Sequence, residues 1–443
     1  MTSPEWSSLL KLYQRTVCAG VLEYLEKQSG PRKKRGVYSA QVVLWLMMVQ
    51  RLQGRGTLAS AVQALLEGAA DPLLFRCRRV RRKQISCRTG GYCQARQKLP
   101  KLLCRQVSQE IVERLRQVLH SGEPDGPANV FILDGSSLEL EHARPLVRLY
   151  PPAQNQNGQS HWPILRLVVL HDLDTGLAQQ PCWGAMYGPC AVSEQELAEK
   201  AMDSLPAQSV IMGDRNFGIF RIAHASEQRG LRVLLRLTEV RARKLAGPFS
   251  QPGEQRLIWH ASRWDDGRHR RLPVEAALEG RLIAARIGRG KSKQWLYLFT
   301  TLELPTEQIL QLYGRRWNIE TDLRSLKRTV RLHHINAKSP DMLEKEILLA
   351  VSAYNLVRAV ICMAARRSRI DPRQLSFTHV LTIVEHAWPK LIDAPTQQQH
   401  DQEFLRVLDL AAQCTLPKRR KHRSYPRLMW RRAGMNRFRK VEN

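Results

Sequence analysis

The sequence lacks most of the features that assign a chain quickly to a functional class. Its nine cysteines, at 18, 77, 87, 93, 104, 182, 190, 362 and 414, form no C-x-x-C pair and are odd in number. A fully paired disulfide framework is therefore excluded, and no zinc ribbon is suggested. Cys77, Cys87 and Cys93 flank basic residues, but no spaced histidine or second pair completes four ligands. Long apolar runs are also missing. The longest, VVLWLMMV at 42–49, falls well short of the ~20 residues a helix needs to cross a bilayer. MTSPEWSSLLKLYQRTV at the N-terminus has no basic segment followed by an apolar core, so no export signal is expected. Reduced thiols and a soluble, cytoplasmic chain without a membrane partner are the expectation. There is no internal repeat and no long low-complexity tract.

Acidic residues are in short supply as well. Lysine and arginine total 70 against 40 acidic residues, a net charge of +30 and a pI near 10.3. An excess of that size, spread along the whole chain, favours a polyanionic partner, most naturally nucleic acid. A length of 443 residues allows two or three domains, each with its own core.

Residues 1–125 carry apolar positions at helical spacing, in SSLLKLYQRTVCAGVLEYLEK, SAQVVLWLMMVQRLQ, TLASAVQALLEG and CQARQKLPKLLCRQVSQEIVERLRQVL, and are expected to be all-α. The helix around Trp45 is apolar nearly all round and so expected to be buried, with RCRRVRRK at 76–83 as a basic turn beside it. Helix, GRG break and helix over 39–67 resemble a helix-turn-helix, an arrangement also common in α proteins that bind no DNA. After SGEPDGPAN at 121–129 the texture changes to short β-rich runs alternating with helices, the pattern of an α/β layer with a mixed sheet. From Ser339 the chain reads as helix again, capped by Ser339 with Pro340 at the first position. It ends in the basic tail PKRRKHRSYPRLMWRRAGMNRFRK, with Tyr425 and Trp430 interleaved.

The chemistry concentrates in YGRRWNIETDLRSLKR at 313–328, where Glu320 stands among arginines and lysines. At about 100° per residue, Tyr313, Arg316, Glu320 and Lys327 fall within roughly 60° of one another. Leu312, Ile319, Leu323, Leu326 and Val330 form an adjacent apolar stripe. By itself Glu320 reads better as a surface ion pair with its i−4 and i+4 arginines, worth about 0.3–0.5 kcal/mol each. Two aspartates each follow an apolar run, Asp134 in VFILDGSS and Asp214 in SVIMGDRNF. Aspartates there project into an α/β cleft or serve as turn residues. Three carboxylates gathered together repel unless a hard cation such as magnesium lies between them. Two such metals about 4 Å apart support phosphoryl transfer.

Tyr313, Arg316, Glu320 and Lys327 reproduce the Y-(2)-R-(3)-E-(6)-K spacing, and the chain resembles the IS-four family of bacterial insertion-sequence transposases over about residues 125–340. Asp134, and Asp214 followed by Arg-Asn-Phe, resemble the first two acids of that family's DDE triad. The resemblance implies an α/β ribonuclease H-like catalytic core with a β-rich insertion, flanked by N-terminal and C-terminal α-helical regions. The expected division is a helical DNA-binding domain over 1–125, the catalytic domain over 126–340 with the insertion about 239–300, and a helical C-terminal region over 341–443. It implies Asp134, Asp214 and Glu320 as catalytic metal ligands, with Mg2+ as the metal and Mn2+ as a substitute. Tyr313, Arg316 and Lys327 would contact DNA. It implies cut-and-paste transposition on terminal inverted repeats and target DNA, by a homodimer, in a bacterial, nucleoid-associated setting. Some members stack a flipped base on an insertion tryptophan, for which Trp295 is the candidate. Trp295 reads as strand core too, since Trp295, Tyr297 and Phe299 share a face.

Asp172 and Asp174 in HDLDTG are expected to form a hairpin turn with Gly176, and His333 and His334 to be surface residues. The competing readings are another metal-dependent nuclease on the same core, and a non-catalytic DNA-binding protein derived from a transposase.

Overall fold

Apolar spacing decides where the helices at both ends of the chain form. The computed structural model describes residues 9–417 apart from 18, 29–35, 54–55, 75–76, 83, 121–128, 157, 263–264, 266–271, 274, 289–293 and 395. The linker read at 121–129, all but its last residue, and the basic tail beyond residue 417 lie outside the described residues. The first part comprises α1 (Leu9–Thr16), α2 (Ala19–Gln28), α3 (Ala40–Leu52), α4 (Leu58–Leu66), α5 (Asp71–Leu74), α6 (Arg78–Arg81), α7 (Gly90–Lys98) and α8 (Lys101–Leu119). Ser39 and Thr57 cap α3 and α4 by accepting hydrogen bonds from Val42 and Ser60. As its composition requires, α3 is buried almost throughout. Its Trp45 stacks on Tyr13 at 5.3 Å and donates to the Ala69 carbonyl at 2.7 Å. The exposed positions of α4 are Ala59, Gln63 and Leu66, none of them a cation. Exposed arginines gather instead on and after α6, at Arg78, Arg79, Arg82 and Arg88.

The middle of the chain builds one mixed sheet. Its elements are β1 (Val130–Glu139), α9 (Arg144–Leu149), β2 (Pro152–Asn155), β3 (Gly158–Asp172), β4 (Cys182–Ala185), α10 (Glu194–Met202), β5 (Val210–Gly213), α11 (Phe220–Glu227), β6 (Arg232–Leu237), α12 (Glu239–Ala246), β7 (Gly253–His260), β8 (Ala277–Ile287) and β9 (Gln294–Thr300). The strand order is β2-β3-β1-β5-β6-β9-β8-β7, with β4 added to β3. β1, β5 and β6 run parallel, while β3 on one side and β9 on the other are antiparallel to them. The β-rich segment read at 239–300 extends this sheet, because β9 pairs directly with β6.

The chain then enters α13 (Thr306–Gly314), a 3-10 turn (Arg315–Trp317), α14 (Asn318–Arg324) and a π turn (Ser325–Thr329). It continues into α15 (Pro340–Ser368), α16 (Phe377–Asp393) and α17 (Gln397–Gln413). Ser339 caps α15 with Pro340 in the first turn. Helices cover both faces of the sheet. One core joins α3, α8 and α15 to the face bearing Ile132, Val169 and Met212. The other joins α10, α11 and α12 to the face bearing Phe131, Leu133 and Val233. The N-terminal and C-terminal helices thus share a single core around α15 in place of the separate cores that length alone suggested. α15 is long and apolar enough to cross a membrane by composition, yet its most apolar stretch is entirely buried in the protein. It holds Lys345, Glu346, Asn355 and Arg358 in that interior, and these polar residues interrupt the apolar run in the sequence.

Candidate active site

Asp134 does not end its strand, as the sequence pattern suggested. It lies within β1, opposite Val169, because the 15-residue β3 continues beside it through the Gly-Ser-Ser stretch. What ends there is the other neighbour. β1 pairs with β5 as Val130↔Val210 and Ile132↔Met212, and β5 stops at Gly213. Continuing that register by two residues sets Asp134 opposite Asp214, with both side chains on the face of Ile132 and Met212. The two aspartates therefore meet where adjacent parallel strands part. Burial pushes the Asp134 carboxyl up to about 6; the Gly135 N–H opposes this, nearby Asp214 adds to it, and Arg316 opposes it. Asp214 also performs the turn role that its position allows. Its Oδ1 accepts from Asn216 N at 2.8 Å, and its carbonyl accepts from Phe217 and Gly218.

The helix opposite is not one uniform α-helix. Immediately after Gly314, the weakest helix former in the stretch, the winding tightens into the 3-10 turn, and it loosens into the π turn after Arg324. The expected apolar stripe is present, with Leu312, Ile319, Leu323, Leu326 and Val330 all buried. The expected polar stripe is split. Tyr313 and Arg316 are buried, at 6% and 8% exposure, whereas Glu320 is exposed. The 3-10 turn turns each residue through about 120° instead of 100°, which rotates Tyr313 and Arg316 away from Glu320.

Tyr313 and Arg316 join the aspartates. The Arg316 guanidinium lies 6.0 Å from the Tyr313 ring centre and 5.2 Å from that of Trp317. The Tyr313 hydroxyl is buried without hydrogen-bond geometry to any described group. Burial raises its pKa, with Arg316 and Arg236 opposing and Asp214 reinforcing. Arg316 is the side chain closest to bonding it, and an incoming phosphate oxygen would meet the hydroxyl and the guanidinium together.

Lys327 approaches the same strand from the π turn. Its Nζ donates to Ser136 Oγ at 2.9 Å and to the Ser137 carbonyl at 3.1 Å, two and three residues past Asp134. Burial lowers its pKa, as does Arg328, while Glu139 raises it. α14 packs against β1. Glu320 nevertheless stands apart: among the described residues no three His, Cys, Asp or Glu side chains form a metal-holding group. The donor chemistry fits a hard divalent cation all the same. Asp134 is held where its charge is disfavoured, beside a second carboxylate, and a cation relieves both effects.

Trp295 lies at the start of β9, stacked on Tyr297 at 5.8 Å, with the Arg286 guanidinium 4.6 Å from its ring centre. It is partly buried against the second core, on the face it shares with Tyr297 and Phe299. Asp172 and Asp174 form the expected turn. Asp172 Oδ1 accepts from Asp174 N and Thr175 N, and Gly176 adopts φ 75°. His333 is half-buried and His334 exposed.

Two residues near this site escaped the sequence reading. Glu194, first in α10, reaches Gly135 from the other face of the sheet and accepts from Asn216. A Cβ at position 135 would fall 2.6 Å from the Glu194 carboxyl carbon, so the glycine permits that approach. The second, Asp322, lies two residues after Glu320 and is buried against Arg373. Its partner is 51 residues away in sequence, and no local pattern distinguishes it from a surface acid.

Comparison with known proteins places these elements. Residues 125–356 match the family model described as a transposase DDE domain. The transposase InsG for insertion sequence element IS4 of Escherichia coli (strain K12) is 23% identical over 292 residues. That alignment covers 63% of this chain, and the chain spans 62% of the length of that relative. A cryo-EM structure of the piggyBac transposase synaptic complex with hairpin DNA is similar at a TM-score of 0.44 and 10% identity, covering 94% of this chain and 87% of that one. With more than half of its 443 residues within the matched domain, and Asp134, Asp214 and Glu320 all inside it, the chain belongs to the DDE transposases of the IS4 family.

Proposed function

We propose that the protein is an active transposase with a ribonuclease H-like core that cuts an insertion sequence from DNA at its terminal inverted repeats and joins it to a target. The observation that carries this reading is the register of β1 and β5, which sets Asp134 opposite Asp214 at the point where the strands separate. Asp134, Asp214 and Glu320 would hold the metal, with the exposed Glu320 side chain swinging toward the pair from α14 when DNA is bound. Magnesium, or manganese in its place, would supply Lewis acidity there for an attacking water or hydroxyl and for the leaving oxygen.

Every other role falls to the chain's own groups. The buried Arg316 and the Tyr313 hydroxyl face the aspartates and would orient the scissile phosphate. Lys327 would exchange its bonds to Ser136 and Ser137 for a phosphate of the cleaved end, one strand position removed from the carboxylates. The exposed arginines on and after α6 would hold the flanking duplex within a DNA-binding region over residues 1–125. Trp295 would receive an expelled base by exchanging its contact with Arg286 for base stacking. A homodimer would pair the two transposon ends.

The test uses a supercoiled plasmid carrying the DNA that borders the coding sequence, incubated with purified protein and Mg2+ or with EDTA. Metal-dependent release of the bordered segment, and target joints flanked by short direct duplications, are expected. Cleavage without preference for those borders would instead identify a nuclease on the same core.

A further inference from the structure

Asp322 is buried two residues from an exposed glutamate on the same short helix, an arrangement that a surface helix does not require. At about 100° per residue the two carboxylates leave α14 on nearly opposite sides, with only ~3 Å of rise between them. Asp322 is 3% exposed. Its Oδ1 and Oδ2 accept from Arg373 Nη1 at 2.6 and 2.5 Å, and Oδ1 also accepts from the Tyr354 hydroxyl at 3.2 Å. Arg373 comes from the turn Pro372–Gln374 that follows α15, and its side chain is 6% exposed. Its remaining donors reach the Asp172 carbonyl at 2.6 Å and the Leu173 carbonyl at 2.8 Å. Those carbonyls end β3, whose Asp172 pairs with Phe131 and whose Val169 pairs with Asp134. The single Tyr354 hydroxyl proton is shared with the Gly176 carbonyl, 3.0 Å away.

One guanidinium therefore ties α14 to the end of the strand that holds Asp134 in place. Buried ion pairs are poor sources of net stability, because the desolvation of both charges offsets their attraction. Their best-attested use is to fix register, and a planar guanidinium bonded at four points fixes both rotation and height.

We propose that Asp322 and Arg373 form a positioning clamp for Glu320. The pair holds α14 against β1 and β3 so that the exposed Glu320 side chain, apart from Asp134 and Asp214 here, can reach them from a fixed helix when DNA is bound, while neither Asp322 nor Arg373 touches the reacting atoms. This rests on the reading of Glu320 as a member of the carboxylate set. The sensitivity is large, since misplacing a catalytic group by about 1 Å costs about 10²-fold in rate. Loss of an outer partner of a metal ligand costs about 10- to 100-fold in metal affinity.

The experiment uses the full chain and its Arg373→Lys, Asp322→Asn and Glu320→Ala variants, with a labelled transposon-end duplex. Three quantities are read: end-DNA affinity, the single-turnover nicking rate, and Mn2+ affinity of the protein–DNA complex by electron paramagnetic resonance. Arg373→Lys keeps the charge and removes the fork. It is expected to slow nicking by about 10²-fold and weaken Mn2+ binding by at least about 10-fold, with end affinity unchanged. Combined with Glu320→Ala, it should weaken Mn2+ binding no further than Glu320→Ala alone. Asp322→Asn should follow the same pattern if it folds; if it does not, Arg373→Lys decides. Wild-type nicking and Mn2+ affinity in Arg373→Lys overturn the clamp, and so does an equal loss of end affinity, which marks general unfolding. If Glu320→Ala itself nicks normally, the assignment of Glu320 fails; if Glu320→Ala is inactive while Arg373→Lys is normal, the clamp alone fails.

Discussion

The two faces of the sheet hold their charges in different ways. On the face shared with α3 and α15, ion pairs are buried: Arg51 and Arg96 converge on Glu346 with side-chain exposures of 8%, 8% and 6%, and Asp322 meets Arg373 at 3% and 6%. Around the opposite face and the insertion, pairs such as Arg256–Glu303 and Arg243–Glu239 lie in solvent, with 63% and 63%, and 60% and 49%, of their side chains exposed; Arg221–Glu199, between α11 and α10, is the exception there at 14% and 11%. Surface pairs are close to neutral in stability, whereas a buried pair is destabilising to break. The difference teaches where the molecule specifies geometry. Asp134, Asp214 and α14 all belong to the face with the buried pairs. Arg51 also donates to the carbonyls of Arg331 and His334, just past the π turn, so α3 braces the far end of the same helical segment.

Removing the shared acid should show the contrast most strongly. Glu346→Ala leaves two arginines buried without a counter-charge, and a loss of about 3–5 kcal/mol is expected in urea unfolding. A loss below about 1 kcal/mol would show that water reaches these guanidinium groups and that the buried face is not a rigid frame.

A gain is expected at the aspartate pair. The folded-state pKa of Asp134, about 6, lies above its ordinary 3.8, so folding favours the neutral acid. The stability this confers is fully present below the ordinary carboxyl value and is lost as pH rises through about 6. Without divalent metal, Asp134→Asn should therefore stabilise the protein by about 2–3 kcal/mol at pH 7–8, with the gain fading toward pH 4. Thermal melts across that range check it. An increment that does not change with pH would contradict the burial of a charged group there.

The smallest effect belongs to the exposed pairs. Arg256→Ala and Glu303→Ala should each change stability by less than about 1 kcal/mol, and the double variant should show little coupling. Coupling above about 2 kcal/mol would erase the contrast between the faces.

Much of this arrangement is legible in the sequence, because burial follows periodicity. Leu312, Ile319, Leu323, Leu326 and Val330 lie on the buried side, as their spacing requires, and Ser339 caps the helix it precedes. Legibility fails where a distant partner decides. Asp134 looks like a strand end because Gly-Ser-Ser follows it, yet β3 carries the strand through. The 3-10 and π turns separate residues that an ideal helix would align. α15 hides its length because Lys345, Glu346, Asn355 and Arg358 interrupt it, each held by partners remote in sequence, such as Gln97, Arg51, Ala178 and Thr175. Asp322 is silent for the same reason.

The measurement closest to the central claim is single-turnover cleavage of a labelled transposon end by Asp134→Ala, Asp214→Ala and Glu320→Ala, with Mg2+ and with Mn2+, alongside end binding by gel shift. Cleavage should vanish in all three while binding stays near wild type, because these carboxylates serve the metal and not the grip on DNA. Near-normal metal-dependent nicking by any one of them would remove that residue from the triad and contradict the account.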